Sequence, residues 1–155
     1  SYSKVLNQIN MIKDNLTGED CNCNCCINRK QIEEDKNNYH IKIYRPWGWY
    51  QTTMEGEDFK VKTICIEEGN RLSLQKHHHR TEVWIIASGF GSVYCDGTWH
   101  LAHPKDKFTI EVDTWHRAKA MRGDLIILEL QHGKELYEED IERLEDDYGR
   151  ALVSG

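Results

Sequence analysis

Short runs of β-branched and aromatic residues, each closed by a turn signal, follow one another from residue 39 onward. Runs of this length and composition are typical of β-strands. They cover residues 40–44, 49–53, 59–66, 71–75, 82–87, 91–95, 98–101, 107–111, 116–120 and 124–131. Between two of them, Asp96-Gly97 predicts a type I′ hairpin. Many short strands at even spacing predict a sandwich or barrel, so we expect an all-β domain over residues 39–155.

Two helices are predicted outside these runs. Apolar residues recur at helical spacing near the N-terminus and predict an amphipathic helix over residues 4–16, closed by Gly18: Val5, Ile9, Ile12 and Leu16. Residues 18–38 are polar, and we expect them to form a linker, which makes residues 1–38 a separate N-terminal segment. After Gly133, a second set spaced i, i+3 and i+7 predicts a short C-terminal helix: Ile141, Leu144 and Tyr148.

The charge and the cysteine content narrow the classes of partner and compartment. The formal net charge is −6 and no basic stripe is visible, which argues against a nucleic-acid partner. No apolar run approaches the length of a membrane helix, and no signal-peptide core is seen, so we expect a cytoplasmic protein without a membrane partner. Four cysteines crowd into residues 21–26. We expect a reduced loop there, and the alternative is a soft-metal thiolate site.

Three consecutive histidines, His77-His78-His79, lie near the middle of the chain and are candidate metal ligands. Such a triplet is also typical of an exposed polar turn, so its context decides the interpretation. Gly69 is followed after five residues by Gln75, then after one residue by His77, after four by Glu82, and after six by a second glycine. If His77 and His79 were taken as the paired residues instead, only two residues would separate His79 from Glu82.

This spacing resembles the first motif of the cupin superfamily, with Gln75 in place of the first histidine. Residues 108–116 are similar to the second motif, in which His116 holds the ligand position. Glu111 and Asp113 replace the usual proline and glycine there, which puts the turn geometry in question. The resemblance implies a cupin fold, a double-stranded β-helix or jelly-roll barrel.

The same resemblance implies a metal site formed by Gln75, His77, Glu82 and His116. Alternate residues of a strand share one face, so the side chains of Gln75 and His77 should point the same way. Mixed nitrogen and oxygen ligands suit Zn²⁺ best, and Mn²⁺, Fe²⁺, Co²⁺ or Ni²⁺ are alternatives. Four protein ligands leave room for substrate oxygens on the ion.

Further blocks resemble one branch of the cupins, the type II mannose-6-phosphate isomerases. These blocks are residues 45–50, 59–62, 72–80, 82–84, 129–131 and 138–150. The resemblance implies interconversion of mannose 6-phosphate and fructose 6-phosphate. In that family the cupin often follows a nucleotidyltransferase domain, and these residues contain no glycine-rich nucleotide motif, so we expect no pyrophosphorylase activity from them.

Isomerisation needs a base near the reacting carbons and cations for the phosphate group. The candidate catalytic residues are Lys62, Glu129 and Arg150. The candidate substrate-binding residues are Arg45, Arg80 and Gln131. For Lys62, Glu129 and Arg150 the alternative is a side chain that faces solvent, as charged residues on strands and near chain ends often do.

Two other functions stay open from the sequence. One is a non-catalytic cupin that binds a sugar phosphate or a nucleotide sugar. The other is an isomerase or epimerase for a different sugar, because a fold does not fix a substrate. Cupins commonly pair through an outer sheet, so we expect a homodimer.

Overall fold

The computed structural model describes residues 41–150. The predicted helix over residues 4–16, the cysteine cluster at residues 21–26 and the first residue of the first predicted strand lie outside the described residues. Within residues 41–150 the structure contains strands and turns but no helix, which confirms the all-β prediction. None of these residues forms a helix that could cross a membrane.

Nine strands, all paired antiparallel, make up the described residues. They are β1 (Ile43–Arg45), β2 (Gly48–Glu55), β3 (Phe59–Ile66), β4 (Leu74–Lys76), β5 (Thr81–Cys95), β6 (Thr98–Ala102), β7 (Lys107–Ile110), β8 (His116–His132) and β9 (Glu142–Glu145). Every predicted strand has a counterpart among them. The predicted hairpin is also confirmed, because Asp96 and Gly97 both have positive φ, at 48° and 85°.

Two pairs of predicted strands each fuse into one long strand. Residues 82–87 and 91–95 lie in β5, and residues 116–120 and 124–131 lie in β8. Gly89 bends β5 without ending it: its φ is +86°, and a Cβ there would lie 2.1 Å from the carbonyl oxygen of Asp124. The ladder continues through the bend with shifts of register, as bulged strands do.

The long strand β8 organises the sheet. It pairs with β3 and β5 along its C-terminal half and with β5 again along its N-terminal half. At its first residue it also meets β4, where His116 lies opposite Gln75. Strand β4 in turn carries β9 on its other edge. This pairing places the start of β8 beside β4, and the short connection after β4 leads directly to the start of β5.

The core follows the strand alternation expected for a sheet with one buried face. In β8, Ala118, Ala120, Leu125 and Ile127 are fully buried, while Lys119 and Leu128 between or beside them are exposed. The core also includes large side chains from β3 and β5: Ile64, Ile66, Trp84, Ile86 and Val93.

The prediction of a short C-terminal helix is wrong. Residues 142–145 form β9, which pairs with β4 and so satisfies backbone groups that β4 would otherwise expose. The three apolar residues do not form one buried stripe, because Leu144 is 59% exposed. Tyr148 packs against the core, and its hydroxyl donates to the Arg71 carbonyl at 3.2 Å.

Candidate metal centre and active-site cavity

Three of the four predicted metal ligands meet at one point. His77 follows β4, Glu82 lies near the start of β5 and His116 opens β8, and their ligand atoms all lie within 4.8 Å of one another. The Nε2 atom of His77 is 3.1 Å from Oε1 of Glu82, and Nε2 of His116 is 3.6 Å from Oε2 of the same carboxylate. All three side chains are almost fully buried.

Backbone carbonyls orient both imidazoles. The Nδ1–H of His77 donates to the carbonyl of Asp140 at 2.6 Å, and the Nδ1–H of His116 donates to the carbonyl of Thr114 at 2.8 Å. Each ring therefore keeps a lone pair on Nε2, the atom that faces Glu82. Nε2 of His116 is buried and has no hydrogen-bond partner. A buried, unpaired nitrogen beside a carboxylate and a second imidazole fits a divalent metal ion.

The charges of these groups also suit a metal. Burial lowers the pKa of His116 to about 4, so its ring is neutral at pH 7. Burial alone would raise the pKa of Glu82, but its contacts with His77, His116 and Arg80 hold that pKa well below its usual range. An ionised carboxylate and an imidazole with a free lone pair are the forms that bind a metal.

Arg80 contacts two of the three ligands. Its Nε donates to Oε1 of Glu82 at 2.9 Å, and one terminal nitrogen lies 3.2 Å from Nε2 of His77. The lone pair of His77 that faces this guanidinium is the one that a metal ion would take. Coordination by His77 and the hydrogen bond from Arg80 therefore exclude each other on that atom.

Gln75, the fourth predicted ligand, lies beside the three. It is opposite His116 across β4 and β8, and it lines the same cavity as His77. Its Oε1 accepts a hydrogen bond from the Ser73 hydroxyl at 2.9 Å, which leaves a second lone pair on that oxygen. Its assignment as a ligand stays a prediction.

A cavity of about 190 Å³ opens beside these groups. It is lined by all the residues predicted to act on substrate or bind it: Arg45, Lys62, Arg80, Glu129, Gln131 and Arg150. The last strand, β9, and the segment before it contribute side chains that were not predicted as site residues from the sequence. These are Glu138, Ile141 and Arg143, and they are visible only once β9 is placed on β4.

Glu129 is the buried acid of the cavity. Its Oε2 accepts the indole N–H of Trp84 at 2.9 Å, and its Oε1 accepts from Nε2 of Gln131 at 2.7 Å. The same indole N–H also lies 2.9 Å from Oε2 of Glu82, so one donor serves both carboxylates. Burial and the charge of Glu82 raise the pKa of Glu129 to about 7. A carboxyl group with this pKa can accept and return a proton near neutral pH.

Lys62 faces Glu129 across the β3–β8 ladder and is itself buried. Its ammonium group pairs with the carboxylate of Glu138 and lies 4.6 Å from the ring centre of Tyr50. The segment after β8 thus reaches back over the cavity. Asp140 holds this segment in place, since its carboxylate accepts the backbone N–H groups of His78 and His79 at 2.9 and 3.0 Å.

The turn before His116 keeps the geometry that the cupin pattern needs. Asp113 stands where the family usually has glycine, and its φ is +57°. Aspartate tolerates this left-handed region better than most residues do. The replacement therefore leaves the turn intact.

The family model described as "Mannose-6-phosphate isomerase C-terminal" matches residues 32–146. This chain belongs to that family. The resemblance predicted from its sequence blocks is confirmed.

Curated relatives from bacteria support the assignment. The alginate biosynthesis protein AlgA of Pseudomonas aeruginosa is 46% identical over 112 residues, which are 72% of this chain and 23% of that protein. The xanthan biosynthesis protein XanB of Xanthomonas campestris is 42% identical over 113 residues, 72% of this chain and 24% of that protein. A mannose-1-phosphate guanylyltransferase of Klebsiella pneumoniae is 36% identical over 122 residues, 78% and 26% of the two chains. The chain thus spans about a quarter of the length of these relatives.

Solved structures share the fold at low sequence identity. A cupin-2 domain protein of Rhodospirillum rubrum, Rru_A2000, matches with a TM-score of 0.53 at 18% identity, over 64% of this chain and 76% of that one. The capsular polysaccharide assembling protein CapF of Staphylococcus aureus matches with a TM-score of 0.62 at 15% identity, over 68% and 32%. The predicted cupin fold is confirmed.

Proposed function

We propose that this family member is a metal-dependent aldose–ketose isomerase that interconverts mannose 6-phosphate and fructose 6-phosphate. The observation that carries the proposal is the placement of a His77–Glu82–His116 cluster beside Glu129 in one cavity. Membership of a family described by mannose-6-phosphate isomerase supports the choice of reaction.

The chemistry requires a proton to move between two neighbouring carbons. A base takes the proton from C2 of the open-chain aldose while O1 gains a proton, which gives the C1–C2 enediol. The proton is then returned to C1 while O2 loses its proton, which gives the ketose. Glu129 is suited to this task because its pKa of about 7 lets it take the proton and give it back. A divalent ion held by His77, Glu82 and His116 would supply Lewis-acid stabilisation of the negative charge on the substrate oxygens.

The remaining cavity residues bind and orient the sugar phosphate. Gln131 fixes one oxygen of Glu129, and its own Oε1 is buried without a partner, so it is free to accept a sugar hydroxyl. Lys62, Arg45 and Arg150 supply positive charge to the cavity. We propose Gln75 as the fourth ligand and Zn²⁺ as the ion, with Mn²⁺, Fe²⁺, Co²⁺ and Ni²⁺ as the alternatives.

The proposal is tested by incubating metal-loaded protein with mannose 6-phosphate in D₂O and recording proton spectra. We expect fructose 6-phosphate to form, with deuterium entering at the C1–C2 positions as the base exchanges its proton with solvent. Gln75→Ala and His116→Ala should lose both metal and turnover. His103→Ala is the matched control, because His103 is exposed and does not line the cavity.

Three other outcomes would change the proposed function. Absence of turnover with each of the five metals, in folded protein that contains the metal, would overturn the isomerase proposal for this substrate. Binding of mannose 6-phosphate without turnover would then favour a non-catalytic sugar-phosphate-binding cupin. Turnover of another sugar alone would favour a different isomerase or epimerase.

A further inference from the structure

Five cationic side chains line the cavity, and most of them already have carboxylate partners. Lys62 pairs with Glu138, and Arg80 with Glu82 at 2.9 Å. Arg150 makes two contacts with Asp146, at 2.9 and 3.0 Å. The other two cations are Arg45 and Arg143, for which no carboxylate partner is found among residues 41–150.

Arg143 is the more confined of these two. Its Nε is buried and has no hydrogen-bond partner, and no salt bridge joins its guanidinium group to another residue of the described part of the chain. Burial and the charges of Arg150 and Arg45 lower the pKa of Arg143, and the opposing charges of Asp146 and Glu138 do not outweigh them. A partly buried cation that has no ion-pair partner and no hydrogen bond to its Nε costs free energy unless an anion joins it.

The position of Arg143 relates it to the metal centre. It lies opposite Gln75 in the β9–β4 pairing, and Gln75 lies opposite His116 in the β4–β8 pairing. Arg143, Gln75 and His116 therefore form one row across three neighbouring strands. Two strand spacings separate the ends of the row by about 10 Å. This span is comparable to the length of a hexose 6-phosphate.

We propose that Arg143, flanked by Arg45 and Arg150, binds the phosphate group of a phosphorylated sugar. This inference rests on the proposed function and adds to it the orientation of the substrate, with the phosphate at β9 and the reacting carbons at His116. The planar guanidinium group can hold two phosphate oxygens at once, which a lysine ammonium group cannot do in the same geometry. The anion would also relieve the repulsion among the three guanidinium groups.

The test compares the metal-loaded wild-type chain with Arg143→Gln, using inorganic phosphate and mannose 6-phosphate as probes. Hydrogen bonds to a charged group contribute about 1.5–3 kcal/mol, so we expect phosphate affinity to fall by a factor of about 10 to 150. The KM for mannose 6-phosphate should rise by a similar factor, with a smaller change in kcat. Arg122→Gln is the control, because Arg122 is exposed and does not line the cavity.

Arg143→Lys keeps the positive charge but loses the planar guanidinium group that can hold two phosphate oxygens, and we expect an intermediate phosphate affinity. If Arg143→Gln does not fold, Arg143→Lys carries the test alone, and wild-type affinity in it would overturn the proposal. Unchanged phosphate affinity in folded Arg143→Gln would place the anion elsewhere, such as on the metal, and would also overturn it. Phosphate affinity is measured without turnover, so this test remains valid even if the protein does not isomerise mannose 6-phosphate.

Discussion

The shared indole N–H of Trp84 gives a sharp test of how the site is held together. Trp84 is fully buried, its ring lies edge-on to His116 at 5.4 Å between centroids, and its Nε1–H lies 2.9 Å from both Glu82 and Glu129. Trp84→Phe keeps an aromatic ring in the core and removes the donor. The two carboxylates then repel each other with no hydrogen atom between them.

The size of the effect follows from these contacts. Loss of a hydrogen bond to charged groups costs about 1.5–3 kcal/mol, and the smaller ring leaves a void that adds about 1 kcal/mol. We expect the free energy of unfolding to fall by about 3 kcal/mol. Trp84 does not line the cavity, so KM should change little, while kcat should fall by a factor of about 10 to 100 because Glu129 is misplaced.

Urea denaturation and steady-state kinetics on the same preparations measure both quantities. Trp99→Phe is the control, because Trp99 is 48% exposed on β6 and contacts Tyr94 instead. If Trp84→Phe loses stability but keeps the wild-type kcat, the indole N–H plays no part in placing the carboxylates. If neither quantity changes, the two hydrogen bonds do not form, and the geometry derived for Glu129 is wrong.

Three further predictions follow from the fold and the site. Gly89→Ala should lower the free energy of unfolding by about 3 kcal/mol or more in urea denaturation, because the added Cβ meets the Asp124 carbonyl and the φ of this residue is unfavourable for alanine. Gly97→Ala is the control, since Gly97 has a similar φ but a Cβ there would meet nothing within 4 Å, and it should cost about 1 kcal/mol. Equal losses in the two variants would contradict the steric argument. The value of kcat/KM should fall as the pH drops through the pKa of Glu129, because the carboxylate is the form that acts as the base. This pKa is about 7, and a bound cation would lower it. Loss of activity that begins well above pH 7 on the acid side of the profile would contradict the assignment. Asp140→Ala should weaken metal binding by a factor of about 10 to 100 in competition with a chelating dye, because the Asp140 carboxylate holds the segment whose carbonyl orients His77. Glu139→Ala is the control and should bind metal as the wild type does. Equal metal affinities in both variants would show that the Asp140 carboxylate is not needed to hold His77.

The sequence predicted the metal centre better than it predicted the cavity around it. Resemblance to the two cupin motifs predicted that His77, Glu82 and His116 come together, and their ligand atoms lie within 4.8 Å of one another in the structure. The spacing could not show that Glu82 and Glu129 share the indole N–H of Trp84. That contact joins residues 45 positions apart and depends on the register of β5 with β8.

Two failures of prediction have a common cause, which is that strand pairing overrides local signals. The predicted strands stop short of Gly89 and Gly123, yet β5 and β8 continue through these two residues. Residues 142–145 have apolar neighbours at helical spacing, yet they complete the edge of β4 instead. That pairing is also what brings Arg143 into the cavity, so its role could not be predicted before β9 was known.

A titration of chelator-treated protein with Zn²⁺ tests the central claim most directly, with isomerisation of mannose 6-phosphate followed at each addition. We expect activity to rise linearly and to stop rising at one ion per chain, and we expect His116→Gln to show neither the rise nor the bound ion. Activity that is unaffected by complete removal of metal, or a wild-type titration in His116→Gln, would contradict it.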